Sequence, residues 1–571
     1  MKILGVNDQH NASACLVEDG QVVAAVQEER FTRVKNDFRF PTRSIAWVLN
    51  HTGTAPEELD SVAIASLHIT RPFNREQLLD HYARLHTPRT TAIRLAKKTP
   101  LMREVRRRRR AERVETAERS GLPVERVGFV DHHTAHAAAA YHGSGWKDEQ
   151  VLVLTTDGEG DDVCASVRLG HGGRLLEPVA QVHARHSLGG VYSTMTFMMG
   201  MVPMEHEYKL MGMAPYAPPS GAQKSYEQFQ DLFEFEGPDG LTWRTRKGVP
   251  NAFFSYNFLR ERLRNHRFDW IAAGLQRFTE EHLLTWVRNA VAATGVRKLV
   301  LSGGVFMNVK ANKRIYELPE VEDLYIFPSC GDETNSMGAA FQSHTDLHTG
   351  AAPKIAPVRE VYWGPDIADE DVEEHIPRLR RAGYRARHVR DIDVVVADML
   401  VDGEIVARAQ GSMEFGARAL GNRSILADPT RTDVVRIIND MIKNRDFWMP
   451  FAPSILAEES DAYIVNPRKM DAPFMIMTFD TTERAVDFPA GIQSYDRTAR
   501  PQLVQERDNP GYHRLISRFF ERTGRAVVLN TSFNLHGYPI VGSASDAVAV
   551  LERSGLRHLA VANWLISKPA T

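Results

Sequence analysis

The period of apolar and polar positions changes several times along the chain, and each change marks an element. Lys2–Asn7, Ala12–Val17 and Gln21–Gln27 are short apolar runs, and Glu18-Asp19-Gly20 places glycine where a tight turn needs positive φ, so three strands joined as a meander are expected. A helix over Pro41–Asn50 and a strand over Ser61–Ser66 continue an α/β order. Arg126–Val130 reads as a buried strand that runs into Asp131-His132-His133-Thr134-Ala135-His136 and the alanines 137–140. A helix there stacks His132 and His136 on one face, because side chains four residues apart lie one above the other. A second cycle follows: strand Gln150–Thr156, turn Asp157-Gly158, strand Cys164–Leu169, a helix from about Trp270 to Thr294, strands Lys298–Leu301 and Leu324–Phe327, then a glycine-opened helix. Two similar α/β halves around a cleft are expected.

Residues 67–120 break this order as a helical insertion carrying Arg103, Arg106, Arg107, Arg108, Arg109, Arg110 and Arg113. Consecutive arginines wrap round a helix, so a solvated surface is expected there, with an anionic acceptor or nucleic acid as the other readings. Ala351–Pro357 is a Pro/Ala linker, after which residues 360–571 fold by themselves. A chain of 571 residues exceeds one core. Its net charge of −2 names no partner. Cys15, Cys164 and Cys330 show no metal-type spacing, no apolar run approaches about 18 residues, and a cytoplasmic enzyme without membrane or nucleic-acid partner is the default expectation.

The chemistry concentrates at strand ends. Imidazole suits Fe, Zn, Ni or Cu, and Asp157 and Asp332, each following a strand, would complete a shell with His132 and His136. The alternative is two imidazoles hydrogen-bonded in a cleft. His10, after the first strand, is placed to move a proton or polarise a carbonyl, and Lys35 to meet an anion. Ser302-Gly303-Gly304, leading to Asn308, offers bare amides for phosphate or ribose. Further on, Arg418 and Arg423 lie among glycines, Lys443 and Arg445 precede Asp446–Pro453, and Arg500 and Asn530-Thr531-Ser532-Phe533-Asn534 follow. Together they would hold a triphosphate and a small anion, unless the arginines are ion-paired at the surface.

Glu28–Phe31, His132–His136, Tyr208–Gly212, Ala417–Ser424 and Leu529–Asn534 jointly resemble the O-carbamoyltransferase family of nodulation-factor, tobramycin, cephalosporin and ansamycin tailoring. The resemblance implies an actin-like, TsaD-like duplicated α/β domain over residues 1–352, with the insertion, and a YrdC-like α/β domain over 358–571. It implies that Arg418, Lys443, Arg445, Arg500, Asn530, Thr531 and Ser532 hold ATP, with Mg2+, and carbamoyl phosphate. It also implies that His132, His136, Asp157 and Asp332 ligate Fe2+ or another divalent metal, that His10 is catalytic, and that Lys35, Gly304 and Asn308 line the adenylate. The implied partner is a small hydroxylated acceptor from secondary metabolism, with N-carbamoylation, a transfer-inactive nucleotide-binding module and a homodimer left open. Two positions depart from the family pattern: Met449 stands where relatives often have Arg, and Tyr538 where Glu is usual.

Overall fold

The structure, a computed structural model, describes residues 1–68, 75–85, 100–348, 354–443 and 446–569. The chain forms two compact units, one of Met1–Glu28 with Asn36–Val358 and one of Glu29–Lys35 with Arg359–Thr571.

The first unit is built on two sheets. Strands β1 (Lys2–Asn7), β2 (Ser13–Glu18), β3 (Gln21–Gln27), β4 (Ser61–Ala65) and β5 (Val127–Val130) line up in the order β3-β2-β1-β4-β5. The first three are antiparallel, while β4 and β5 run parallel to β1. In the second sheet, β6 (Val151–Gly160), β7 (Val163–His171), β8 (Arg174–Leu175), β9 (Ala180–His183), β12 (Lys298–Ser302) and β13 (Asp323–Ile326) repeat that arrangement: β9-β7-β6 are antiparallel and β12 and β13 run parallel to β6. The two halves expected from the sequence are therefore present with one strand order. The central strands read as unbroken apolar runs, Val151–Leu154 being fully buried, whereas β5, expected to be buried, is an edge strand whose residues are half-buried and, at Gly128, exposed.

Each fifth strand feeds a helix, His132–Ser144 after β5 and Asn335–Leu347 after β13, and these two helices pack on each other. Their approach is very close: a Cβ at Gly338 would lie 1.8 Å from the Ala135 carbonyl oxygen. Small residues are the condition for that contact, which accounts for the buried alanines 137–140. The hairpin of β10 (Phe233–Glu236) and β11 (Thr242–Thr245) sets Trp243 against Trp286 of the long helix Phe268–Thr294.

The insertion is helical over Arg75–Arg84 and Pro100–Arg119, as expected, but its arginines are not simply solvated. Arg107 and Arg108 pair with Glu104 on their own helix, Arg106 pairs with Asp162, and Arg113 is buried. Fixed carboxylates and an aromatic ring draw the inward side of the helix onto the sheet. Residues 351–353 of the linker lie outside the described residues. The following stretch is tied down, with the Ala356 and Val358 amides donating to Gly20 and Gly143 carbonyls.

The second unit has one mixed sheet in the order β14-β23-β22-β15-β16-β21-β17-β20, comprising β14 (Arg385–His388), β15 (Val406–Ala409), β16 (Arg423–Ala427), β17 (Ala452–Leu456), β20 (Gln502–Val504), β21 (Val527–Ser532), β22 (His558–Val561) and β23 (Trp564–Ser567); β18 (Phe479–Asp480) and β19 (Thr498–Ala499) pair separately. The early segment Glu29–Lys35 belongs to this unit. Arg30 donates to the Gly416 carbonyl, and Arg33 to those of Pro539 and Ile540. Its neighbour Glu28 stays with the first unit, where its buried carboxylate accepts the amides of Arg43 and Ser44 and caps the helix Thr42–Thr52.

Among the described residues, no helix is long and apolar enough to cross a membrane.

Candidate metal centre and the surrounding sites

The carboxyl ends of the parallel strands carry the chemistry, as is general for open α/β sheets. His132 and His136 leave β5 on the first turns of their helix, Asp157 lies on β6, and Asp332 follows β13. One ligand atom from each of these four side chains falls within 4.8 Å of all the others. His132 Nε2 is 3.2 Å from Asp157 Oδ2 and 3.6 Å from Asp332 Oδ1, while His136 Nε2 is 3.9 and 3.4 Å from the same atoms. Donors about 2.0–2.2 Å from one ion would be spaced about 3–3.5 Å apart, close to these separations.

The outer faces of both rings are engaged. His132 Nδ1 lies 2.9 Å from Ser66 Oγ, and His136 Nδ1 lies 3.2 Å from Ser302 Oγ, which leaves both Nε2 atoms turned inward. Asp161 accepts the His132 amide at 2.8 Å and Asp131 caps the helix through the Thr134 amide, fixing where the helix starts. His133, between the ligand candidates, is satisfied by Thr155 Oγ1 and the Val163 carbonyl and takes a packing role.

The charges are mutually perturbed. Burial and then the Asp157 charge push the Asp332 carboxyl up to about 7. Burial also works to raise Asp157, yet its hydrogen bond to His132 and the neighbouring imidazoles hold it below the ordinary carboxylate range. Burial opposes protonation of His132, but Asp157 and Asp332 outweigh it and carry the ring to about 9, whereas burial and His132 drive His136 down to about 3. Asp332 Oδ1 is buried without a hydrogen-bond partner among the described residues. A buried acceptor left in that state among two carboxylates and two imidazoles fits a divalent cation well.

His10 lies in the loop between β1 and β2. That loop is stitched to the Asp332 turn, since Asn11 donates to Glu333 Oε2 at 3.2 Å and Ser13 to the Glu333 carbonyl at 2.6 Å. The amides of Gly303 and Gly304 are not bare: they donate to the Cys330 carbonyl and to Asp157 Oδ1. With φ at 107°, Gly303 sits so tightly that a Cβ would lie 2.3 Å from the Thr156 carbonyl oxygen. The glycines thus admit the Asp157 carboxylate rather than present free donors. Asn308 caps the helix Val309–Tyr316 and exchanges amide hydrogen bonds with Gln276. Half-buried Lys35 groups with the second unit, not with these residues.

In the second unit, three motifs lie on adjacent strands: β21 pairs with β16 through Ile425 and Thr531 and with β17 through Ala452 and Asn530. Buried Lys443 donates to Asn534 Oδ1 at 2.6 Å and to Ser532 Oγ at 3.0 Å. Asn530 donates to Ser454 Oγ, while Asn530 Oδ1 and Thr531 Oγ1 are buried without a partner among the described residues. Arg418 and Arg500 are half-buried, and Arg445 lies outside the described residues. Arg423 is a structural residue, fully buried and donating to the carbonyls of Pro365, Gln410, Gly411 and Asn422.

Residues 2–341 match the family described as Carbamoyltransferase N-terminus, and residues 397–568 match Carbamoyltransferase C-terminus. The chain belongs to the carbamoyltransferase family. It is 32% identical to nodulation protein NolNO of Sinorhizobium fredii over 98% of this chain and 79% of that protein. The 3'-hydroxymethylcephem-O-carbamoyltransferase of Amycolatopsis lactamdurans is 30% identical over 46% of this chain and 47% of that protein. Full-length HypF in a phosphate- and nucleotide-bound form aligns over 62% of this chain and 56% of that chain at 14% identity, with a TM-score of 0.36, a likeness too loose to carry an argument.

In this carbamoyltransferase several residues that shape the sites carry no sequence motif of their own. Ser66 has a strand-end position as its signal, and Asp161 lies in a turn of acidic residues. Glu414, whose buried carboxylate accepts the amides of Leu420 and Arg423 and so orders the Ala417–Ser424 loop, has none.

Proposed function

We propose that the chain is an ATP-dependent O-carbamoyltransferase that acts on a small hydroxylated acceptor of secondary metabolism. The observation that carries this reading is the convergence of His132, His136, Asp157 and Asp332 from separate strand ends, in a chain that matches both carbamoyltransferase descriptions. The relatives' names add an O-carbamoyltransferase that takes a hydroxymethyl group and a nodulation protein.

The second unit, read as YrdC-like, would perform the activation. Arg418, Lys443, Arg445, Arg500, Asn530, Thr531 and Ser532 bind carbamoyl phosphate and ATP, the latter with Mg2+. Water hydrolyses carbamoyl phosphate to carbamate and inorganic phosphate, and a carbamate oxygen attacks the α-phosphorus of ATP, giving carbamoyl-adenylate and pyrophosphate. Planar arginine forks suit the phosphates, and buried Asn530 Oδ1 and Thr531 Oγ1 are polar atoms that a ligand would satisfy.

The first unit, read as TsaD-like, would perform the transfer. The four-residue cluster holds a divalent metal, Fe2+ in the reading the resemblance implies, which when bound polarises the carbamoyl carbonyl as a Lewis acid. His10 accepts the proton of the acceptor hydroxyl, the oxygen attacks the carbamoyl carbon, and AMP leaves. Exchange onto AMP is needed because nitrogen donation makes a carbamoyl group a poor electrophile.

Labelled pyrophosphate tests the reading directly. Exchange into ATP that requires carbamoyl phosphate is the expected result, followed by a mass gain of one carbamoyl group on a hydroxylated metabolite. No exchange would identify a nucleotide-binding module without transfer, and product on an amine would overturn the hydroxyl assignment.

A further inference from the structure

Arg113 points inward from the arginine-rich helix and is 5% exposed. Its Nε and Nη2 donate to the two carboxylate oxygens of Asp8 at 2.7 and 2.8 Å, Nη1 donates to the Ser66 carbonyl at 2.7 Å, and Nη2 donates to the Ala65 carbonyl at 2.7 Å. The guanidinium carbon lies 4.6 Å from the centroid of the Phe129 ring. Asp8 follows β1, Ala65 ends β4 and Ser66 follows it, and Phe129 lies on β5, so one planar fork gathers the carboxyl ends of three neighbouring parallel strands.

Those ends carry the site. His10 is two residues beyond Asp8, and Ser66 presents Oγ to His132 Nδ1. Ser66 holds φ at 68°, a backbone conformation that side-chain-bearing residues seldom adopt and that persists only when its surroundings enforce it. Its amide donates to the Val130 carbonyl and its own carbonyl accepts from Arg113, so both sides of the residue are pinned. A lysine would keep the charge but could not span a carboxylate and two carbonyls at fixed angles.

We propose that Arg113 is a positioning residue of the transfer site: through Asp8 it fixes the loop bearing His10, and through Ser66 it fixes the plane of the His132 ring. The proposal rests on the transferase reading above and assigns the insertion a part in the chemistry. It needs an arginine at this place, where an ordinary buried ion pair would serve stability alone.

The test compares wild type with Arg113→Lys and with Asp8→Asn, which breaks one arm and leaves the carbonyl arm intact. Three readouts separate the roles: carbamoyl-phosphate-dependent ATP–pyrophosphate exchange, AMP release with water as the acceptor, and the visible spectrum after replacement of bound metal by Co2+. Expected are exchange within about twofold of wild type, AMP release lower by about 10- to 100-fold, and a shifted Co2+ band at unchanged stoichiometry. AMP release at the wild-type rate with an unshifted band would overturn the proposal, as would parallel loss of exchange and AMP release. If Arg113→Lys does not fold, Asp8→Asn carries the same readouts. A wild-type protein without exchange would instead sink the transferase reading, and the Co2+ band would still decide whether Arg113 orients His132.

Discussion

The backbone of Gly160 lies against the imidazole face of His132, so closely that a Cβ built at Gly160 would fall 2.1 Å from His132 Cγ. Glycine at this end of β6 is thus what allows the ring to face Asp157. Gly160→Ala should push the ring aside while leaving the second unit untouched. The expected outcome is a loss of metal per chain by elemental analysis and a fall in AMP release of about 10- to 100-fold, with pyrophosphate exchange retained. Wild-type metal content in Gly160→Ala would mean that the ring does not depend on this contact.

Arg423 makes a contrasting case within the second unit. Its guanidinium is fully buried among four carbonyl oxygens, and burial pulls its pKa down to about 10. A cation so enclosed serves the loop and offers nothing to a phosphate. Arg423→Lys strips several carbonyls of their donor and should cost about 3 kcal/mol or more in urea unfolding. The KM for ATP in pyrophosphate exchange should stay near that of wild type in the protein that remains folded. A selective rise in that KM at unchanged stability would make Arg423 a ligand.

The regular elements were legible because each announces itself locally. The β1–β3 meander carries its turn glycine, the alanine-rich helix its small face, and β6, β12 and β13 their apolar runs. The four-residue cluster was legible for a related reason: His132, His136 and Asp332 follow strands, Asp157 lies near the end of β6, which continues to Gly160 where a turn at Asp157-Gly158 was expected, and the strand order brings those ends together. Interactions between distant segments were not legible. Nothing near Gly303 and Gly304 in sequence reveals that Asp157 occupies the Gly304 amide, so the glycines read as free donors. Arg113 was hidden among six similar neighbours, because which arginine turns inward depends on helix phase against Asp8 and Phe129. Glu29–Lys35 joins the second unit through contacts to Gly416, Pro539 and Ile540, far away in sequence.

Two of the three thiols, Cys15 and Cys164, should be inert in the native protein. Burial pushes the Cys15 thiol up to about 12 and raises Cys164 well above the usual range. At pH 8 the Cys15 thiolate fraction is then about one in ten thousand, against roughly a quarter for an exposed thiol. Incubation with iodoacetamide at pH 8 should leave both unlabelled by peptide mapping, and labelling should appear once denaturant unfolds the chain. Rapid labelling of Cys15 without denaturant would show that β2 opens readily.

His282 should contribute to acid sensitivity. It is 7% exposed, stacked on Phe235 at 4.8 Å and set edge-on to Trp243 at 4.6 Å, and its Nε2 has no hydrogen-bond partner among the described residues. Burial drives its pKa down to about 3, so the folded ring stays neutral where the unfolded ring takes up a proton. Between about pH 3 and 6.5 the unfolded chain binds more protons, and stability from this group, complete above about 6.5, is lost as pH falls. At pH 5 the loss is on the order of 2 kcal/mol. His282→Phe removes that proton uptake while keeping an aromatic ring in the cage. The difference in unfolding free energy between pH 7.5 and pH 5 should therefore be smaller in His282→Phe by about that amount, a comparison in which any fixed packing cost cancels. Buried His133 and His142, both held near 3, keep the remaining acid sensitivity in place. An identical pH dependence in variant and wild type would mean that the ring is protonated inside the cage or that the cage opens before the chain unfolds.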